Sequence, residues 1–296
     1  EVVKPPRVME SPVQLECIIK EVIELGTEGV GNVFSINDFP ERTGTGRILT
    51  AGSPIVLIES GTYRRKIVYM PNSYQVNMSK RSVSETSLLR HELGLPNTGF
   101  IFCCFNNNYK ILPATFASWM RILRGVDGSV LWLFQDNPWV VDNLKKESEK
   151  QGVAPNRLVF AERLPLPEHL ARHRQADLFL DTLPYNAHTT ASDALWTDLP
   201  VLTLMGSSFA SRVAASLLNA IGLPELITNT QEEYEALAIE LATNPQKLVE
   251  IKLKLANNRL TTPLFDTPLF TKNLEAAYIK MHERCLAGLP PECIYV

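Results

Sequence analysis

The chain has few cysteines, and none of them forms a metal-binding or redox pair. Of the five in 296 residues, Cys103 and Cys104 are adjacent, while Cys17, Cys285 and Cys293 are scattered. Because no CxxC motif is present, neither a zinc site nor a disulfide framework is indicated. Cysteines that stay reduced predict a cytoplasmic protein.

The sequence also lacks a strong charge and a long apolar run. The formal net charge is -3, with no basic stripe and no acidic tail, so a nucleic-acid partner is not expected. No apolar run reaches the ~18 residues of a membrane helix, and no signal-peptide pattern is visible, so no membrane partner is expected. A hydrophobic content of 45% in 296 residues indicates a globular protein of one large domain or two small ones.

What the sequence does contain is an alternation of strand-like and helix-like segments from residue 99 onward. Short apolar runs, typical of buried parallel strands, predict strands over 99–105, 129–134, 157–161, 177–182 and 200–204. Helical periodicity predicts helices near 113–126, 137–152, 167–175, 190–197 and 207–221, followed by three more over 230–244, 245–261 and 271–288. This order predicts an α/β fold built on a doubly wound parallel sheet.

The most informative segment is DLFLDTLPYNAHTTASDALW, residues 177–196. It predicts a strand, a polar loop and a helix that begins at Thr189 or Thr190. The first-turn N–H groups of a helix have no intrahelical partner, and the helix dipole favours an anion there. With the ring of His188 beside the two threonines, this loop is a candidate diphosphate site. The structural alternative is a capping box between Thr190 and Asp193.

Two further polar segments follow predicted strands, and ligands of parallel sheets bind beyond the carboxyl ends of the strands. Lys110 follows the first strand, where its charge suits a diphosphate leaving group; a solvated surface lysine is the alternative. His169 and Arg172 are one helical turn apart and share a face. An imidazole there can stack on a base, and a guanidinium can donate to its carbonyl edge. His169 and His173 have metal-ligand spacing, but no third ligand accompanies them, so no metal site is predicted.

Four motifs in this region carry a resemblance to a known family. They are CCFNNNYKI (103–111), LPLPEHLARHR (164–174), NAHTTASDALW (186–196) and FASRVAASLL (209–218). Together they resemble the C-terminal catalytic lobe of the protein O-linked N-acetylglucosamine transferases of bacterial type. The likeness runs from about residue 66 to the end. It implies a UDP-sugar-binding glycosyltransferase lobe over 66–296, the C-terminal lobe of a GT-B fold, with no cofactor and no metal.

The resemblance also implies roles for individual residues, as far as they match the family's motifs. It implies that Lys110 contacts the donor diphosphate, that His169 packs on the uracil, and that Asp193 holds the ribose hydroxyls. Asn107 stands where the animal enzymes carry glutamine, and Leu166 stands where they carry a lysine near the ribose. The remaining expected substrate-binding residues are Leu164, Arg172, His188, Thr189 and Thr190.

The N-terminal stretch is outside this likeness. Residues 6–26 weakly resemble the flavin reductase-like split-barrel family, although the segment is too short to close the flavin pocket of such a barrel. Residues 1–65 are therefore interpreted as a divergent or remnant segment that is either poorly ordered or a short β-rich appendage.

Three functional hypotheses follow. The first is an inverting, metal-independent glycosyltransferase that moves N-acetylglucosamine from its UDP donor to serine or threonine hydroxyls of a protein or peptide acceptor. The second is a truncated module that binds UDP or a UDP-sugar without turnover, because the family's acceptor side belongs to an N-terminal lobe. The third, a flavin oxidoreductase fragment, would purify with yellow flavin. The residues alone leave the first two open.

Overall fold

A computed structural model describes residues 67–86 and 88–296, together with the backbone of two short strands within residues 47–58. The chain divides into two units. The larger one is Asn77–Asp266, and the smaller one combines the described residues up to Val76 with Thr267–Val296.

The described strands and helices follow one another in nearly regular alternation through the larger unit. The strands are β1 (Arg47–Thr50), β2 (Ile55–Ile58), β3 (Val68–Tyr69), β4 (Ile101–Cys104), β5 (Val130–Phe134), β6 (Leu158–Ala161), β7 (Leu178–Leu180), β8 (Val201–Leu204), β9 (Ile227–Thr228) and β10 (Ile294–Tyr295). The helices are α1 (Pro113–Gly125), α2 (Pro138–Lys150), α3 (Leu166–Arg172), α4 (Thr189–Trp196), α5 (Val213–Ala220), α6 (Gln231–Thr243), α7 (Pro245–Asn258) and α8 (Thr267–Leu286).

The larger unit is built on one six-stranded sheet in which every pair of neighbours is parallel. Its order is β6-β5-β4-β7-β8-β9. From β4 the chain adds β5 and β6 toward one edge of the sheet, and from β7 it adds β8 and β9 toward the other edge. The order therefore reverses between β4 and β7, and this reversal opens a crevice at the carboxyl ends of those two strands. The predicted doubly wound parallel sheet is confirmed.

All five predicted strands belong to this sheet, because each contains a run of apolar residues that the sheet largely buries. Ile101, Phe102, Leu133 and Phe179 are completely buried. The sixth strand, β9, has only two residues, which are too few to form a recognisable hydrophobic pattern in the sequence.

The helix starts follow the local chemistry of the chain. Proline occupies the first turn of α1, α2 and α7, where its missing N–H leaves no hydrogen bond unmade. The side chain of Asn137 accepts a hydrogen bond from the N–H of Val140 and caps α2. Thr230 and Glu233 form a capping box that opens α6.

One predicted helix begins later than expected. The prediction of a helix over 207–221 is wrong at its start, because α5 begins at Val213 and a short 3-10 turn, Phe209–Ser211, precedes it. The hydroxyl of Ser211 donates to the carbonyl of Ser208 and accepts from its N–H, so this segment closes on itself as a turn.

The smaller unit has its own small core. β3 and β10 pair in parallel, and the rings of Tyr69 and Tyr295 stack with their centroids 4.4 Å apart. Val68, Met70, Ala277 of α8 and Ile294 form a buried cluster. In the same unit β1 and β2 form an antiparallel pair.

Two predictions fall on residues outside those described. The likeness of residues 6–26 to split barrels lies there entirely, and so does most of the predicted remnant segment 1–65. The predicted boundary at residue 66 therefore stays a prediction. Among the described helices, none combines the length and the apolar character needed to cross a bilayer.

Candidate donor-binding site

A buried carboxylate organises the carboxyl edge of the sheet. Asp181 directly follows β7 and is 3% exposed. Its Oδ1 accepts hydrogen bonds from the N–H groups of Thr182 (2.7 Å) and Ala187 (2.6 Å), and its Oδ2 accepts from the hydroxyl of Thr203 (2.7 Å). Burial raises the pKa of Asp181 to about 6, against the opposing effect of these hydrogen bonds. The carboxylate thus fixes the loop between β7 and α4.

The two strands that flank the crevice are joined through Asn106, which follows β4. Its Nδ2 donates to the hydroxyl of Thr182 at 2.8 Å, and its Oδ1 accepts a hydrogen bond from the hydroxyl of Thr190. The alternative of a capping box between Thr190 and Asp193 is wrong. Because α4 begins at Thr189, Thr190 already lies inside the helix, and His188 occupies the cap position, where its side chain makes no capping hydrogen bond.

Lys110 ends a 3-10 turn just after β4, and its ammonium lies against the loop that leads to α4. Its Nζ donates to the carbonyl of Asn186 at 2.9 Å and lies 3.7 Å from the ring centroid of Tyr185. Burial lowers the pKa of Lys110, and the negative charge of Asp181 opposes that shift. A positive charge held by a carbonyl and an aromatic face at this edge suits an anionic ligand.

His188 and the first turn of α4 extend this positive edge. The ring of His188 lies 5.2 Å from that of Tyr185 and 5.9 Å from that of Phe209, centroid to centroid. Burial, followed by the charge of Lys110, lowers the pKa of His188 to about 4, so the imidazole is neutral at neutral pH. Thr189 is exposed and begins the helix. The Tyr185 ring therefore packs against both Lys110 and His188.

His169 and Arg172 lie on α3, and the structure turns Arg172 inward. Arg172 is 1% exposed; its Nη1 donates to the carbonyl of Glu162 at 2.6 Å, and its guanidinium carbon lies 4.7 Å from the ring centroid of Phe105. Its Nη2 contacts Nδ1 of His169. Because a guanidinium can only donate, Nδ1 of His169 accepts, and the neutral ring carries its proton on Nε2.

The surroundings of His169 keep that ring neutral. Burial, and then electrostatic interactions with His173 and Arg172, lower the pKa of His169 to about 3. His173 is fully buried and its Nδ1 donates to the carbonyl of His169 at 2.7 Å. The direct contact of Arg172 with a base stays a prediction. In this structure the Arg172 guanidinium contacts Nδ1 of His169 from the protein interior.

The other predicted residues border the same edge. Asn107 is exposed, and its carbonyl accepts from the N–H of Lys110 at 3.0 Å. Leu164 is half-buried in the loop after β6, and Leu166, 57% exposed, begins α3. Their contacts with a substrate stay predictions.

Asp193 lies in α4 and is held by a residue that sequence reasoning missed. Arg81 forms an ion pair with its Oδ1, and Nη2 of Arg81 donates to the hydroxyl of Ser192 at 3.1 Å. That hydroxyl donates in turn to Oδ1 of Asn77 at 2.5 Å. Residues 77–86 form neither helix nor strand, so no periodicity marks them, and the pairing joins positions 112 residues apart.

A hollow of about 440 Å³ lies elsewhere and carries no site. Gly128, Ser129 and Arg157, which precede β5 and β6, line it at the amino ends of those strands. The Arg157 guanidinium is engaged there with the carbonyls of Leu123, Val126 and Ser129. Arg157 therefore caps the C-terminal end of α1 by binding its last carbonyl groups.

In the part of the chain that the structure describes, no group of three His, Cys, Asp or Glu side chains is arranged to hold a metal ion. Cys103, Cys104, Cys285 and Cys293 are free thiols.

Comparison with known proteins identifies related sequences. The sequence model of glycosyl transferase family 41 matches residues 72–274. A probable UDP-N-acetylglucosamine--peptide N-acetylglucosaminyltransferase SEC of Arabidopsis thaliana is 39% identical over 236 residues, which are 78% of this chain and 24% of the relative. The UDP-N-acetylglucosamine--peptide N-acetylglucosaminyltransferase of Caenorhabditis elegans is 37% identical over 201 residues, 68% of this chain and 18% of the relative. This chain thus spans about a quarter or less of the length of these relatives.

Solved structures give a consistent result. A mutant of the O-GlcNAc transferase of Thermobaculum terrenum superposes with a TM-score of 0.61 at 34% identity, over 64% of this chain and 37% of that one. The sucrose-phosphate synthase of Thermosynechococcus elongatus superposes with a TM-score of 0.50 at 14% identity, over 72% of this chain and 52% of that one. The second likeness is one of fold alone.

Proposed function

The chain belongs to glycosyl transferase family 41, and we propose that it acts in the transfer of N-acetylglucosamine from UDP-N-acetylglucosamine to serine or threonine hydroxyls of a protein or peptide. The names of its relatives support this donor and this acceptor class. The observation that carries the proposal is the position of Lys110. Its ammonium lies at the sheet reversal, against the loop that opens α4.

We assign the diphosphate of the donor to the edge formed by Lys110, His188 and the first turn of α4. The N–H groups of Thr189 and Thr190 lie in that turn and have no partner further back along the helix. They add the helix dipole to the charge of Lys110. The ring of His188 borders the same edge; it is neutral near neutral pH, and its N–H is hydrogen-bonded to the backbone of Ala210.

We assign the uracil to the face of His169 and the ribose to Asp193. A neutral imidazole whose tautomer is fixed by Arg172 presents a flat ring for stacking. Asp193 offers carboxylate oxygens that accept from ribose hydroxyls. Asn107, Leu164 and Leu166 border these two positions and complete the donor side.

In the proposed reaction the acceptor hydroxyl oxygen forms a bond to the anomeric carbon of the sugar. The bond from that carbon to the β-phosphate oxygen breaks, and its electron pair leaves with UDP. The hydroxyl proton goes to a base on the acceptor side. Negative charge therefore grows on the diphosphate, where Lys110 and the α4 amides stabilise it. These groups do the work of a divalent cation, so transfer proceeds without a metal.

We also propose the cytoplasm as the compartment of this reaction. The free thiols of Cys103, Cys104, Cys285 and Cys293 are consistent with reducing conditions.

A transfer assay tests the proposal. The chain is incubated with UDP-N-acetylglucosamine labelled in the sugar and with a peptide that carries one serine, with and without a chelator. We expect label on the peptide at equal rates in both, and none on the matched peptide with alanine at the serine position. Binding of UDP without any transfer would overturn the proposed reaction and leave a binding module.

A further inference from the structure

We propose that Arg81 is a positioning residue of the donor site, which holds the carboxylate of Asp193 ready to accept the two ribose hydroxyls. This inference rests on the proposed function, since it takes the ribose as the ligand of Asp193. Nothing in the sequence pattern pointed to Arg81, and its importance follows from its contacts alone.

Both terminal nitrogens of the Arg81 guanidinium make contacts with α4. Nη1 forms the ion pair with Oδ1 of Asp193, and Nη2 donates to the hydroxyl of Ser192 at 3.1 Å. The side chains of Arg81 and Asp193 are only 13% and 8% exposed, so water screens this pair weakly. One planar guanidinium thereby binds the side chains of both Ser192 and Asp193 on α4, which restricts Asp193 to one orientation.

The charge of Arg81 also opposes the protonation of Asp193. Burial raises the pKa of that carboxyl, and Arg81, by its charge and its hydrogen bond, lowers it. In the part of the chain that the structure describes, Arg81 is the charged group that acts on Asp193. The neighbouring side chains of Ser192 and Asn77 do not titrate.

The ionised form is the one that suits a ribose. A carboxylate only accepts, and it can accept from two adjacent hydroxyls at once, whereas a protonated carboxyl uses one oxygen as a donor. Without Arg81 the buried carboxyl would take up a proton at higher pH. The affinity for a ribose would then fall as pH falls.

A purely structural role for Arg81 makes a different prediction. The segment 77–86 is also tied to α4 by the bond from the hydroxyl of Ser192 to Asn77, at 2.5 Å. If Arg81 only strengthened this attachment, its loss would weaken all ligands alike and at every pH.

The test is calorimetric titration with UDP and with 2′,3′-dideoxy-UDP, from about pH 6 to about pH 9. Both nucleotides share the diphosphate and the base, so the phosphate titration cancels in the comparison. The variants are Arg81→Met and Arg81→Lys, with Lys80→Met at the exposed neighbouring position as the control. If Arg81→Met does not fold, Arg81→Gln replaces it, since it is also uncharged.

We expect Arg81→Met to weaken UDP about tenfold at neutral pH and to leave the dideoxy nucleotide nearly unchanged. Its affinity for UDP should rise with pH, while the wild type, Lys80→Met and Arg81→Lys show no such rise relative to the dideoxy nucleotide. Equal weakening of both nucleotides, or a pH profile like that of the wild type, overturns the role of Arg81. If the wild type binds neither nucleotide, the proposed function fails and this inference fails with it.

Discussion

The Nδ1 atom of His169 accepts a hydrogen bond from the guanidinium of Arg172. The guanidinium itself is buried and is held by the carbonyl of Glu162. The ring that we assign to the uracil is therefore oriented from inside the protein. Its tautomer is fixed by a group that the solvent does not reach, while burial is the main reason that the ring stays neutral.

Removal of that group should change the tautomer of His169. In the wild type we expect the ¹⁵N spectrum of His169 to show a proton on Nε2 and an unprotonated Nδ1 throughout the neutral pH range. Arg172→Met keeps an apolar chain of similar length without a donor, so it should yield a mixture of tautomers and a higher pKa for His169. A proton on Nδ1 in the wild type would contradict the assignment.

Replacement of Lys110 should affect turnover more than binding. Because negative charge on the diphosphate grows as the sugar–phosphate bond breaks, a fixed cation favours the transition state over the bound donor. Lys110→Ala should therefore lower kcat about a hundredfold, equivalent to about 3 kcal/mol, with a much smaller change in donor affinity. Lys146→Ala, at an exposed position of α2, is the control. A loss of affinity as large as the loss of kcat would contradict this role.

Burial of His173 should make the fold sensitive to acid. Its pKa is lowered to about 4, mainly by burial, whereas in the unfolded chain it is about 6.5. Between these values the unfolded state binds more protons, so the free energy of unfolding decreases as pH falls through this window. His173→Gln should make the loss of stability from about pH 7 to about pH 5 smaller by about 2 kcal/mol.

Urea unfolding at the two pH values measures this difference, and His91→Gln, at an exposed position, serves as the control. Asp181, whose pKa is raised to about 6, contributes with the opposite sign. Its contribution is common to all the proteins compared and cancels. An unchanged pH dependence in His173→Gln would show that His173 is not neutral in the folded state.

Two substitutions of Asp181 should differ strongly in stability. Asp181→Ala leaves the N–H groups of Thr182 and Ala187 and the hydroxyl of Thr203 without their acceptor, which should cost about 3 kcal/mol or more. Asp181→Asn keeps one acceptor oxygen for the two N–H groups and should cost about 1 kcal/mol. The free energy of unfolding measures both. Equal losses would mean that the carboxylate does not organise the loop.

The sequence predicts the sheet better than it predicts the site. Continuous apolar runs such as Ile101–Cys104 favour buried strands, and the bounds of each strand lie within two residues of the prediction. The contacts at the site depend on partners that are far apart in the chain. Thr190 bonds to Asn106 rather than to Asp193, and Arg172 turns inward because Phe105 and Glu162 meet it there. No local pattern contains that information.

The late start of α5 shows the same limit at short range. The hydroxyl of Ser211 competes with the helix by bonding to the N–H and the carbonyl of Ser208 in its own turn. An added Cβ at Gly206 would lie 2.5 Å from the hydroxyl oxygen of Ser211, so this turn also depends on a glycine two residues before it begins. Helical periodicity predicts neither the side-chain bonds of this turn nor its need for a glycine.

The central claim is that the carboxyl edge of this sheet binds the UDP part of the donor, with the base on His169. Calorimetric titration of the wild type and His169→Ala with UDP and with pyrophosphate tests it most directly. The account predicts that the wild type binds UDP with a Kd between about 1 μM and about 1 mM. It further predicts that His169→Ala weakens UDP about tenfold while pyrophosphate affinity changes little. Failure of the wild type to bind UDP, or equal weakening of both ligands by His169→Ala, would contradict it.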